Sequence, residues 1–219
     1  MSRKSWIILA VAAVLIAGGA AWYFLDGGDR ITAGNAGATL YQPLPTDHSM
    51  GNPQAKVTVI EYASPTCPVC ASFMINNYPR LKSDYIDTGK IFYVYRTFLR
   101  GPDDAVAEKL ARCMPKDQYM SFNDMLFRNQ SRWDYEFGIP SPDGVHAALV
   151  QLALEAGMGQ ADAERCIASP ADDNAISKVG EDGMAKYAVG ATPTFVVNGR
   201  GEAGFEKLFS RIDDALAGK

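Results

Sequence analysis

Four cysteines carry the chemistry this sequence offers: Cys67, Cys70, Cys113 and Cys166. The first two stand in "VTVIEYASPTCPVCASFM", where an apolar, β-branched run breaks at Ser-Pro-Thr and apolar residues resume with helical spacing. Two cysteines separated by two residues can bind a metal, staple a loop or exchange electrons as a dithiol, and the spacing alone does not choose. A zinc site wants about four ligands. His48 falls in a Gly-rich stretch and His146 on an apolar helix, and neither is spaced to complete a site with Cys67 and Cys70. No metal or other cofactor is therefore expected.

Redox exchange fits the local physics. A cysteine at a helix N-terminus faces unpaired backbone N–H groups and the positive end of the helix dipole, which favours thiolate over thiol. Pro68 suits the first helical turn, where its missing N–H costs nothing. Cys70 then lies one turn in and more buried. On this reading Cys67 is the attacking thiol and Cys70 the resolving one.

Cys113 and Cys166 are 53 residues apart, with no ligand-spaced neighbour. An even cysteine count in an exported domain suggests two pairs, so these two are expected to form a structural disulfide. Loop-closure entropy for such a bridge is roughly 4 kcal/mol, less any native strain. Two free buried thiols are the alternative.

Export is read from the N-terminus. Arg3 and Lys4 precede the uncharged "WIILAVAAVLIAGGAAWYFL", Trp6 to Leu25, and Asp26 and Asp29 follow. At about 1.5 Å per residue this stretch matches the roughly 30 Å hydrocarbon core, and the charge order puts the N-terminus in the cytoplasm. Its length favours a retained single-pass membrane anchor over residues 1–25; a signal peptide cleaved near "AGGAA" is the alternative. Residues 26–54 are rich in Gly, Asn, Asp and Pro and read as a flexible tether, partly ordered at its end. The net charge of −4 argues against nucleic acid as a partner.

The elements that must position the cysteines begin at Lys56. "KVTVIEYA" reads as a buried strand, the segment from Cys67 to Gly89 as a helix kinked at Pro79, and "IFYVYRTF" as a second strand. Residues of about 100–187 hold several helical segments, with Asp103, Asp117 and Asp143 as expected N-caps. "TPTFVVNG" returns to strand and "FEKLFSRIDDALA" closes as an amphipathic helix. The order is β-α-β, a helical block, then β and α: an α/β domain over residues 55–219 with a helical insertion. "GRGEAG" imitates a dinucleotide fingerprint, but only fifteen residues follow Gly204, too few for the acidic residue and second strand such a site needs. It reads as a Gly-rich turn into the last helix.

Strand, Cys67-Pro68-Val69-Cys70, helix and the later "ATPTF", together with "YIDTGKIFYVYRTF", resemble the thioredoxin superfamily, and specifically the DsbA family of exported thiol oxidoreductases. The resemblance covers residues 54–219 and implies a thioredoxin fold with an inserted helical domain. It implies that Pro193 is a cis-proline packed against the active-site pair, with Thr192 contacting the substrate backbone and Pro68 and Val69 beside the bound substrate. It implies a buried acid at Glu61 that relays the proton of Cys70, a strand-edge Glu facing water being the alternative. Arg96 is a candidate to neutralise that region. It further implies a periplasmic, monomeric enzyme that introduces disulfides into reduced exported proteins and is recharged by a membrane quinone-linked partner of the DsbB type. Val69 departs from the pattern, because strongly oxidising members carry a His there. A less acidic Cys67 and a less oxidising couple are expected, which keeps a reductase or isomerase open. A non-catalytic module holding a soft metal on the two thiolates is the reading outside enzymes.

Overall fold

The structure is a computed structural model that describes residues 41–139 and 141–219. The segment Trp6–Leu25, read as anchor or signal, and the first part of the tether lie outside the described residues. No helix among the described residues is long and apolar enough to cross a membrane.

A five-stranded mixed sheet organises the domain. Its strands are β1 (His48–Gly51), β2 (Val57–Ala63), β3 (Ile91–Thr97), β4 (Thr194–Val197) and β5 (Arg200–Ala203), in the spatial order β1-β3-β2-β4-β5. β2 and β3 run parallel, with Glu61 opposite Tyr95, and every other neighbouring pair is antiparallel. β2 is central, and all seven of its residues are buried. That suits a β-branched run packed on both faces. Side chains alternate across a strand. Val57, Val59 and Ala63 therefore join Tyr93, Tyr95, Phe195 and Val197 on one face. Ile60, Tyr62, Val94 and Val196 form the other.

The first face is covered by α1 (Pro68–Asn76), through Phe73 and Met74, and by the final helix, through Leu208 and Ile212. After α1 the chain bends at Asn77 and continues as a short α2 (Tyr78–Leu81) and a wider turn (Lys82–Ile86) before stopping at Gly89, whose φ is +68°. Pro79 stands at the start of α2, so the expected kink is a break between two short helices.

The helical block comprises α3 (Pro102–Cys113), α4 (Tyr119–Arg128), α5 (Gln130–Trp133), α6 (Pro142–Glu155), α7 (Gln160–Ala168) and α8 (Asp173–Tyr187); α9 (Leu208–Leu216) closes the chain. Cys113, at the end of α3, is joined to Cys166 in α7 by a disulfide. Val179 of α8 lies against the second sheet face. Gly183 permits that approach, because a Cβ there would stand 2.6 Å from the Tyr62 ring.

Three expectations are corrected. Arg96 takes no part in neutralising Glu61; it pairs at 2.7 Å with Asp47, in the ordered end of the tether just before strand β1. Arg96 lies on the Tyr62 face of the sheet, with Tyr62 Oη 2.7 Å from its Nη1, whereas Glu61 lies on the opposite face. The N-caps are Gly101 and Ser141 rather than Asp103 and Asp143, which fall in the first turns; α4 starts after Gln118 rather than Asp117. Pro102 and Pro142 each occupy a first helical position, which moves the cap to the residue before them. Lastly, "GRGEAG" is only in part a turn: Asn198 and Gly199, at φ +44° and +83°, make a two-residue hairpin turn, and Arg200–Ala203 form edge strand β5.

Candidate active site

Cys67 is the N-cap of α1, with extended backbone at φ −82° and ψ 117°, and Pro68 is the first residue of the helix. This is where β2 hands over to α1. The Cys67 sulfur lies 3.4 Å from the Cys70 N–H and 3.3 Å from the Thr192 carbonyl oxygen. A thiol donates to that carbonyl, and a thiolate accepts from the N–H. The Thr192–Pro193 peptide bond is cis. It lies just before β4, which pairs with β2, so two separated parts of the chain meet at one sulfur. Val69 is 48% exposed beside the pair.

The two free thiols have opposite environments. A hydrogen bond from the Cys70 thiol is the largest influence on Cys67. Burial opposes it, while the Thr192 side chain and the N–H groups of Cys70 and Val69 add to it. The net effect pushes the Cys67 thiol down to about 5. Cys70 is fully buried, and its thiol is raised well above the ordinary range, first by burial and then by the hydrogen bond and charge of Cys67. A nucleophile and a protonated resolving partner thus arise from one turn of helix.

Glu61 is fully buried in β2, not at a strand edge facing water. Tyr93 donates to its Oε2 at 2.5 Å, and Oε1 has no hydrogen-bond partner. Burial pushes the carboxyl up to about 8 despite the Tyr93 hydrogen bond, so the group is mostly protonated at neutral pH. Its charge, when present, raises Cys70 further. Cys113 and Cys166 are absent from this site and bonded to each other within the helical block. Among the described residues no three His, Cys, Asp or Glu side chains converge to hold a metal.

Sequence reasoning missed three residues here. Tyr93 is the hydrogen-bond partner of the Glu61 carboxyl. Asp104 and Gln130, from the helical block, bind the loop that carries Cys67. Only the alternation of β3 hinted at Tyr93, and nothing local marked the other two.

The thioredoxin family profile matches residues 44–214. The chain belongs to the thioredoxin family. A putative protein-disulfide oxidoreductase of Rickettsia felis is 31% identical over 174 residues, 78% of this chain and 60% of that protein. The chain thus spans about 60% of the length of this relative. A probable disulfide bond formation protein D of Bacillus cereus is 24% identical over 96% of this chain and 94% of its own length. The crystal structure of Wolbachia pipientis alpha-DsbA1 superposes with a TM-score of 0.72 at 28% identity, covering 83% of this chain and 96% of the other. Within the thioredoxin family the chain is thus DsbA-like, a thioredoxin fold with a helical insertion.

Proposed function

We propose that this protein is a thiol:disulfide oxidoreductase that introduces disulfides into exported proteins through Cys67 and Cys70. The observation that carries the reading is the asymmetry of the pair: Cys67 held at about 5 at the mouth of α1, and Cys70 buried and held protonated. The names of the relatives support it.

In the oxidised enzyme a substrate thiolate attacks the Cys67 sulfur, and the Cys67–Cys70 bond breaks. Cys70 leaves as a thiolate and takes the proton of the Glu61 carboxylic acid, which regains one from solvent. The second substrate cysteine then attacks the substrate sulfur of the mixed disulfide and expels Cys67 as a stable thiolate. Two substrate thiols become one disulfide, two electrons reside on the enzyme, and of the two substrate protons one ends on Cys70 and one in solvent. On this reading the backbone of a bound peptide meets Thr192, whose carbonyl is 3.3 Å from the Cys67 sulfur, and borders Pro68 and the exposed Val69. The expelled thiolate is a good leaving group because the Cys70 thiol donates to it and the N–H groups of Cys70 and Val69 add to this, which favours the disulfide-forming direction over reduction.

Turnover requires an oxidant for the reduced pair, and a quinone-linked membrane protein of the DsbB type is the partner we assign. The working place is then the periplasmic face of the membrane, with Trp6–Leu25 as the tie to it and the enzyme acting as a monomer. The test is oxidative refolding of a reduced protein with several cysteines, using the full chain in its disulfide form. Stoichiometric disulfide formation, lost in Cys67→Ala and in Cys70→Ala because neither variant can carry the Cys67–Cys70 disulfide, is expected. Transfer that persists in Cys67→Ala would overturn the reading.

A further inference from the structure

The loop from Ser64 to Cys67 that delivers the reactive sulfur to α1 is fastened from outside the sheet. Asp104, fully buried in the first turn of α3, accepts from the Ser64 hydroxyl at 2.8 Å and the Thr66 N–H at 2.9 Å through one oxygen. Its other oxygen accepts from the Arg100 and Gly101 N–H groups at 2.6 and 3.2 Å. Gln130, the first residue of α5 and 5% exposed, donates through Nε2 to the Pro65 carbonyl at 2.7 Å and the Cys67 carbonyl at 3.1 Å. One carboxamide therefore clasps the carbonyls on both sides of Thr66, while Asp104 holds the N–H between them.

Cys67 sits outside the helix, at φ −82° and ψ 117°. Its sulfur faces the Cys70 N–H and Thr192 only while that backbone conformation persists, and Gln130 and the Ala71 N–H together hold the Cys67 carbonyl and so fix ψ. In the disulfide form the bond to Cys70 holds the sulfur in any case. In the reduced form nothing covalent does, and the clasp shares with the Ala71 N–H, 3.0 Å from the Cys67 carbonyl, the task of keeping the thiolate in front of its donors. Loss of the clasp must then weaken the reduced form more than the oxidised one.

We propose that Gln130, with Asp104 behind it, is a positioning residue through which the helical block sets the redox equilibrium of the Cys67–Cys70 pair. This rests on the reading of that pair as an exchanging dithiol. The relevant equilibrium is protein disulfide plus two glutathione thiols against protein dithiol plus glutathione disulfide, a transfer of two electrons.

The test compares the full-length wild type with Gln130→Leu, which keeps volume and removes both donors, and with Leu149→Ala. Leu149 is fully buried in α6 and its apolar side chain makes no hydrogen bond to the loop, so its truncation destabilises the helical block while leaving both clasp side chains in place. Two quantities are read: the midpoint of Cys67 thiolate absorbance at 240 nm, and the glutathione equilibrium constant. With the net worth of one hydrogen bond lost mainly from the reduced form, Gln130→Leu moves the equilibrium about fivefold toward the protein disulfide and raises the thiolate midpoint. Leu149→Ala moves neither. If Gln130→Leu matches the wild type in both, or if Leu149→Ala shifts them equally, the proposal is overturned. If the wild type itself exchanges no disulfide with glutathione, the functional reading fails first, and the proposal with it.

Discussion

Replacing Glu61 by glutamine is expected to stabilise the protein and to remove part of its pH dependence. Glu61 is fully buried, and its carboxyl titrates at about 8 in the folded state against 4.5 when unperturbed. The cause is burial, opposed by the Tyr93 hydrogen bond and with no contribution from either cysteine, so the shift carries over to the disulfide form. Between pH 4.5 and 8 the unfolded chain has released this proton and the folded chain has not. Folding then requires proton uptake, and stability falls as pH rises through that window and no further above it. At 1.36 kcal/mol per pH unit, the loss between pH 5 and 7.5 is about 3 kcal/mol. A glutamine side chain at this position would keep the hydrogen bond from Tyr93 and carry no titrating group. It would place its NH2 where Oε1 already has no partner, so little new cost is added. Urea unfolding of the oxidised wild type and Glu61→Gln at pH 5 and pH 7.5 measures this. The variant's advantage should grow by about 3 kcal/mol across that range. The wild type keeps a second, similar slope from Glu108, buried and pushed up to about 7, so the difference between the two proteins is the quantity to read. Parallel stability curves would refute the reasoning, because they would show Glu61 ionised in the fold. The same variant should slow the first exchange step, in which Cys70 leaves the enzyme disulfide and loses its nearby proton donor.

Alkylation of the reduced protein by iodoacetamide should select Cys67 over Cys70, with a rate that rises through a midpoint near pH 5, as mass mapping across pH will show. Val69→His places a cationic imidazole beside the thiolate and should move that midpoint from about 5 toward the roughly 3.5 of the strongest oxidants. That is about 2 kcal/mol, or about 45 mV toward a more oxidising potential, measured against glutathione. Cys113→Ala with Cys166→Ala should lower unfolding free energy by up to roughly 4 kcal/mol while leaving the Cys67–Cys70 potential near the wild-type value.

Local pattern made the reactive pair legible. Cys67 and Cys70 stand where a β-branched strand meets a helix, and Pro68 marks the first turn, so the placement of the thiols followed from short-range chemistry. The α/β class and the helical insertion followed from periodicity for the same reason. What escaped the sequence is held by contacts distant in the chain. β1 is four residues long and pairs with Tyr95 and its neighbours some forty residues later, so "HSMG" carries no period of its own. Gln130 reaches Cys67 across 63 residues, and Asp104 reaches Thr66 across 38, and neither sits in a motif. The assignment of Arg96 to the Glu61 region failed on register. Arg96 is opposite Tyr62, not Glu61, and so faces the other side of the sheet, where Asp47 and Asp182 meet it.

The central claim is that the environment of Cys67 makes the pair a disulfide donor, and the reduction potential of the full chain against glutathione at pH 7 tests it most directly. A thiol at about 5 supports the reduced form by about 2 kcal/mol more than one at about 7, as in thioredoxin, and by about 2 kcal/mol less than one at about 3.5. Converted from the couples of those two reference proteins, the expected value lies between about −220 and −165 mV. A value at or below about −270 mV would contradict the account, because electrons would then flow from this protein to its substrates.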